Sequence, residues 1–295
     1  MARNAQAPHG ARIAEIKIRR YQPEQAPEAY WQTFQVAVEP NDRLLDALNR
    51  IKWEQDGTLT YRRSCAHGVC GSDAMRVNGR NRLACKLLMA DVGQRVTVEA
   101  MLGYPVIRDL VVDMDQFFAK YEKVKPYLIN DEPAPRTERL QTPEERARYD
   151  DSTKCILCGA CTGSCPQVWA NPRWIGPASI VNAHRFIFDS RDRGSAERLS
   201  IMSGYDGVWP CKTIFNCTEA CPRGIRVTDT IEQVKRAILQ GTNETSHEVS
   251  SCSSYVVDVF GAMPPHERSA WPSLAPLATA GRGDRLARFT QRFTE

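Results

Sequence analysis

Hydrophobic and polar residues alternate along the first third of the chain, and then the period changes. Over residues 14–18 and again over 34–38, apolar side chains fall on every second position, which predicts two strands with one buried face each. Leu44, Leu45, Leu48 and Ile51 recur at helical spacing behind Asp42, which predicts a helix with Asp42 as its N-cap. Strand-like runs follow at 75–77, 96–98 and 106–112, so this part reads as a sheet with one packed helix. From Met114 the pattern turns helical: Phe117, Phe118 and Tyr121 would share a face, and helices are predicted at 177–188, 196–202 and 228–239. Residues 130–139 hold Pro133, Pro135 and many charges and read as a linker. The expected organisation is therefore 1–113, 114–240 and a C-terminal extension 241–295. The extension is rich in Ser, Pro and Gly and reads as weakly structured or partner-binding. In it Leu286, Phe289 and Phe293 share a helix face beside Arg285, Arg288 and Arg292, which suits anionic lipid, a partner or a disordered basic tail.

At 42% hydrophobic and 25% charged residues, the composition is that of an ordinary globular protein. A net charge of +4 is too weak to imply nucleic acid. No apolar run approaches the length of a membrane-spanning helix. What changes the picture is eleven cysteines in 295 residues. No apolar leader precedes the first strand, and Arg19-Arg20 runs into Tyr21-Gln22-Pro23-Glu24, which does not suit a twin-arginine signal. The expectation is a reduced, cytosol-facing chain that keeps most of its thiols on metal.

The cysteines form two blocks. Cys155, Cys158, Cys161 and Cys165 follow C-x2-C-x2-C-x3-C and then Pro166; Cys211, Ile214, Cys217 and Cys221 repeat those offsets and then Pro222. This is the bacterial ferredoxin run, in which the fourth cysteine of each copy ligates the other cluster. By that rule Cys155, Cys158, Cys161 and Cys221 would hold a [4Fe–4S] cluster. Cys165, Cys211 and Cys217 would hold a cluster whose fourth ligand is replaced by Ile214; three thiolates suit [3Fe–4S]. Losing a thiolate and excluding water both bear on potential, so this centre is expected to be the most oxidising. Zinc would prefer paired half-sites with four closed ligands, which a run of four followed by proline does not supply.

Cys65, Cys70, Asp73 and Cys85 fit C-x4-C-x2-D…C, the plant-type [2Fe–2S] spacing with aspartate in the third place. Either Asp73 ligates iron as a hard donor, which its offset favours, or it is a loop residue and another group completes the site. Gly68 and Gly71 would let the loop fold tightly with its N–H groups toward sulfur. No nucleophilic triad or phosphate loop is visible, so this chain is expected to carry electrons while a partner does the substrate chemistry. Cys252 reads as a free thiol.

These residues resemble the iron–sulfur subunit of succinate dehydrogenase and fumarate reductase (respiratory complex II). The resemblance covers about residues 13–240. It rests on Ser64-Cys65-Ala66-His67-Gly68-Val69-Cys70-Gly71-Ser72-Asp73, Asn78-Gly79, Leu83-Ala84-Cys85, the run from Cys155 to Pro166, Ile175-Gly176-Pro177, Asp189-Ser190-Arg191-Asp192, and the run from Cys211 to Pro222. It implies an α+β chain: an N-terminal plant-ferredoxin-like β-grasp domain and a C-terminal all-helical bacterial-ferredoxin-like domain. It further implies that electrons pass from FAD in a flavoprotein subunit through [2Fe–2S], [4Fe–4S] and [3Fe–4S] to quinone at a membrane anchor, with fumarate reduction as the opposite direction. A subunit of another dehydrogenase is a weaker alternative. The implied place is the cytoplasmic face of a bacterial inner membrane, held peripherally by anchor subunits. Quinone-site positions fall on Pro166, Trp169, Lys212 and Ile214. The family often has a second tryptophan where this chain has Ala170, and histidine where it has Lys212. Trp169 reads equally as a core aromatic.

Overall fold

The computed structural model describes residues 12–241. The expectations for the extension, including Cys252 and the 285–293 face, lie outside the described residues. Strands β1 (Arg12–Arg20) and β2 (Tyr30–Val38) pair antiparallel from Arg12 against Val38 to Arg20 against Tyr30. Helix α1 (Leu44–Arg50) runs on into a wider π-type turn over Ile51–Gln55. Strands β3 (Ala74–Val77) and β4 (Arg80–Leu83) form a second hairpin, and a short helix α2 (Met89–Val92) leads to β5 (Arg95–Glu99). The five strands lie in the order β2-β1-β5-β3-β4, with β5 parallel to β1. A two-stranded ribbon follows, β6 (Val106–Arg108) and β7 (Val111–Val112).

The alternation explains the sheet. Ala14, Ile16 and Ile18 of β1 and Phe34, Val36 and Val38 of β2 point to one side and meet Leu44, Leu45, Leu48 and Ile51. Register is fixed because a slip of one residue would turn each of these side chains to solvent. Three local expectations shift. The α1 N-cap is Arg43, one residue later than Asp42, and the Asp46 carboxylate accepts from the Arg43 N–H at 2.9 Å. The run 106–112 is a ribbon because Asp109 sits at φ +44° and turns the chain. Strand β4 escapes the hydrophobic pattern because Arg80, Asn81 and Arg82 fill it; Asn81 points inward and bonds the backbone of Leu102 in both directions.

Beyond β7 the described chain is helical: α3 (Asp115–Glu122), α4 (Pro143–Ala147), α5 (Asp150–Thr153), α6 (Ala160–Gly163), α7 (Pro166–Ala170), α8 (Pro177–Ile187), α9 (Ser195–Ser203), α10 (Asn216–Ala220) and α11 (Val227–Gln240). Residues 130–139 hold no regular element. Of the α3 aromatics Phe117 is buried, while Phe118 is 41% exposed. A second core gathers Val124, Trp174, Ile180, Val181, Ile187, Ile231 and Val234 around α8 and α11. Among the described residues no helix is long and apolar enough to cross a membrane.

His184 ties this second core together. Buried in α8, it bonds Ser152 Oγ at 2.9 Å through one ring nitrogen and Gln233 Oε1 at 2.9 Å through the other. Burial pushes its pKa down to about 4. Above the ordinary value of about 6.5 both folded and unfolded rings are neutral and stability is full. As pH falls from there toward 4, the unfolded chain takes up a proton that the fold refuses, and stability is lost by up to roughly 3 kcal/mol. Urea midpoints measured near pH 7 and near pH 5 are expected to show this fall, and His184→Gln is expected to flatten it. An equal pH slope in both proteins would remove His184 as its source.

Candidate metal centres

The first cysteine block lies on the loop between the π-type turn and β3, with Cys85 just after β4. Ala66, Gly68 and Gly71 hold positive φ values of 58°, 80° and 71°, which coils the loop around Cys65. Three backbone N–H groups then donate to Cys65 Sγ: His67 at 3.4 Å, Val69 at 3.3 Å and Cys70 at 3.3 Å. Those bonds, His67 first, bring its thiol down to about 6. Cys70 Sγ lies 3.1 Å from Ser72 Oγ. Asp73 and Cys85 are buried together, and the Cys85 N–H donates to Asp73 Oδ2. Burial, then the Asp73 carboxylate, pushes the Cys85 thiol up to about 12. The structure thus sets Asp73 beside Cys85 and inside the fold, away from the water-facing loop surface.

The second block repeats in backbone as well as in sequence. Leu157 and Gly159 have φ values of 53° and 78°, and the equivalent Thr213 and Phe215 have 54° and 68°. Gly159 and Phe215 are the N-caps of α6 and α10. The left-handed residues turn each loop back over its own cysteines. Phe215 accepts a conformation that costs a residue with a Cβ on the order of 1 kcal/mol, where the first copy uses glycine.

Cys155, Cys158 and Cys161 of the first run line a cavity with Cys221 of the second. A second cavity is lined by Cys165, Cys211 and Cys217 together with Ile214, Pro166 and Lys212. Asn216 Nδ2 donates to the Ser164 carbonyl at 3.2 Å and holds the two copies together. Trp169 is not part of this lining; its indole N–H donates to the Gly163 carbonyl at 2.9 Å. Ile214 is 49% exposed and Phe215 48%.

Burial dominates the electrostatics here. It pushes the Cys158 thiol up to about 12 and that of Cys165 up to about 11, and it raises Cys155, Cys161 and Cys217 as well. Several thiolates in an apolar space need a compensating positive charge, which iron provides. Cysteines spread around a cavity fit a polynuclear cluster, whose irons are capped from several sides. Sequence reasoning missed two buried polar partners of sulfur. Asn182 Nδ2 donates to Cys155 Sγ at 3.5 Å, and Thr228 Oγ1 lies 3.6 Å from Cys217 Sγ. The available signal was a polar residue inside an apolar helical stripe, Ile180-Val181-Asn182-Ala183.

Comparison with known proteins gives a consistent result. Residues 15–119 match a 2Fe-2S iron-sulfur cluster binding domain, and residues 147–222 a 4Fe-4S dicluster domain. The chain is 46% identical over 230 residues to the succinate dehydrogenase iron-sulfur subunit of Coxiella burnetii, covering 77% of this chain and 97% of that one. It is 38% identical over 235 residues to the fumarate reductase iron-sulfur subunit of Haemophilus influenzae, covering 76% and 92%. A chain of the Mycobacterium smegmatis Sdh1 complex in the apo form superposes with a TM-score of 0.71 at 26% identity, covering 77% of this chain and 95% of that one.

Proposed function

The chain belongs to the iron–sulfur subunits of succinate dehydrogenase and fumarate reductase, and from that premise we propose how its residues divide the work of carrying electrons. It is the electron-transfer subunit of a complex that also contains a flavoprotein with FAD and a membrane anchor where quinone reacts. When bound, its clusters supply single-electron oxidation and reduction. Cys65, Cys70, Asp73 and Cys85 hold [2Fe–2S]. Cys155, Cys158, Cys161 and Cys221 hold [4Fe–4S]. Cys165, Cys211 and Cys217 hold [3Fe–4S]. The division at residue 114 follows the change from sheet to helices.

The observation that carries this reading is the pair of cavities, each lined by cysteines drawn from both runs. The residues around the sulfurs have definite roles. The N–H groups on Cys65 stabilise thiolate charge in the first site. Asn182 and Thr228 offer hydrogen bonds to sulfur in the other two, which raises potential relative to a bare sulfur. Ile214 keeps the open corner of the third site apolar. Pro166, Lys212 and Ile214 form the wall facing quinone, and Lys212 supplies a positive donor there. Trp169 stands outside that lining, and its N–H is engaged with the Gly163 carbonyl.

We place the complex at the cytoplasmic face of a bacterial inner membrane, with this subunit held by the anchor and running from succinate toward quinone. EPR of the purified complex, with iron and acid-labile sulfide counted on the same sample, tests the scheme. A signal in the air-oxidised sample and new signals on dithionite reduction are expected. Iron present with an EPR-silent oxidised sample would overturn the third assignment. Faster quinol:fumarate than succinate:quinone turnover would reverse the direction. Asp73→Cys is expected to retain the [2Fe–2S] signal at full iron content, because Asp73 already lies beside Cys85; loss of that signal would mean the loop cannot place a thiolate there.

A further inference from the structure

Gly71 follows Cys70 directly and lies against the other cysteine block. A side chain there would put its Cβ 2.7 Å from Cys158 Cβ, 3.0 Å from Cys158 Cα and 3.2 Å from the Ile156 carbonyl oxygen. The residue next to one proposed ligand thus rests in van der Waals contact with another proposed ligand of a different centre. The surrounding seam is similarly tight. A Cβ at Gly163 would come within 2.2 Å of the Leu102 carbonyl oxygen, and Tyr104 donates its hydroxyl to the Gly159 carbonyl at 2.9 Å. Ala160, Ile156 and Cys158 pack into the core of the sheet, so the second block is keyed into the first at this point.

We infer that Gly71 is a positioning residue for electron transfer: its missing side chain lets the Cys70 loop touch Cys158, and that contact is the coupling route between the first and second centres. The inference rests on the assignment of these cysteines to neighbouring clusters. The step moves one electron. The centre held by Cys65, Cys70, Asp73 and Cys85 is oxidised by one, the centre held by Cys155, Cys158, Cys161 and Cys221 is reduced by one, and no bond or proton moves. Electronic coupling decays more steeply across a gap between groups than along bonds. A loop pushed away from Cys158 therefore weakens transfer even when both centres assemble.

The fold contains a control. Gly79, in the turn between β3 and β4, has a similar positive φ, +80° against +71°, and a Cβ there meets nothing within 4 Å. At Gly71, by contrast, a Cβ meets Cys158 and the Ile156 carbonyl, which cannot swing aside. Gly79→Ala thus reports the strain of a side chain in the left-handed region away from the cysteine loops, and Gly71→Ala reports strain plus separation.

The experiment uses the assembled complex, with iron and sulfide counted and both midpoint potentials measured. Spin relaxation of the reduced [2Fe–2S] signal is compared with the second centre oxidised and reduced, and transfer between the two is followed after rapid reduction. In the wild type, reducing the second centre is expected to speed that relaxation. In Gly71→Ala the enhancement is expected to shrink and transfer to slow several-fold, with potentials unchanged. Gly79→Ala is expected to keep both at wild-type levels. Fully assembled Gly71→Ala with unchanged relaxation and rate would overturn the inference, as would equal slowing in both variants. If Gly71→Ala fails to assemble, the wild-type relaxation decides: no enhancement on double reduction means the loops are not in contact. Absence of iron–sulfur signals from the wild type would instead sink the cluster assignment itself.

Discussion

Ile214→Cys is expected to abolish the EPR signal of the air-oxidised complex and to add one iron per chain. Ile214 stands at the cysteine offset of the second run and lines one cavity with Cys165, Cys211 and Cys217. A thiol there completes four ligands, so the site can take a fourth iron. The extra thiolate adds negative charge, which favours the oxidised state and lowers the midpoint potential, by on the order of 100 mV within the range that ligand charge commands in such centres. Quinone reduction should slow in step, because this centre is the proposed electron donor at the anchor. Ile214→Ala serves as the control: it keeps three thiolates and should keep the oxidised signal. An unchanged signal, iron count and potential in Ile214→Cys would remove this corner from the third site.

Asp192→Ala is expected to destabilise the chain by about 3–5 kcal/mol, the cost of leaving one member of a buried ion pair alone. Arg198 Nη1 meets Asp192 Oδ1 at 2.6 Å, and neither side chain has any exposure. The remaining guanidinium hydrogens go to the carbonyls of Val124, Lys125 and Tyr127, while Asp192 also accepts from the N–H groups of Ile129 and Gly194. The pair therefore clamps the segment after α3 onto α9. Without Asp192, Arg198 keeps carbonyl partners but loses the buried carboxylate it pairs with. Asp192→Asn retains the shape and should cost less. Pairing Asp192→Leu with Arg198→Met should recover part of the loss, since no charge is then stranded. Urea midpoints of the four proteins at constant m-value decide it. A loss below about 1 kcal/mol for Asp192→Ala would class the pair with surface ion pairs.

Much of this molecule was legible along the chain because its signals are local. A period of two placed β1 and β2, and a period near four placed α1, α8, α9 and α11. The cysteine offsets grouped Cys155, Cys158 and Cys161 with Cys221, and Cys165 with Cys211 and Cys217; those side chains line the two cavities. Where local signals were weak, the reading slipped. Strand β4 carries two arginines and an asparagine, and the ribbon of β6 and β7 hides inside one apolar run.

Arg20 marks the boundary between the two kinds of information. Alternation alone places it on the inner face after Ala14, Ile16 and Ile18, yet nothing near it in the chain says how an arginine can be buried there. The answer comes from Asp109, 89 residues away, whose carboxylate meets Arg20 Nε at 3.0 Å, and from Asp56, Gln32 and Thr58. Asp73 beside Cys85, Asn182 on Cys155 and Gly71 against Cys158 are of the same kind. By itself the sequence determined cysteine spacing and element type, because these depend on offsets of a few residues and on the backbone's two fixed periods. The tertiary structure alone decided which buried charges are paired, which polar groups reach sulfur and where the cysteine loops touch, because those depend on the packing of segments far apart in the chain.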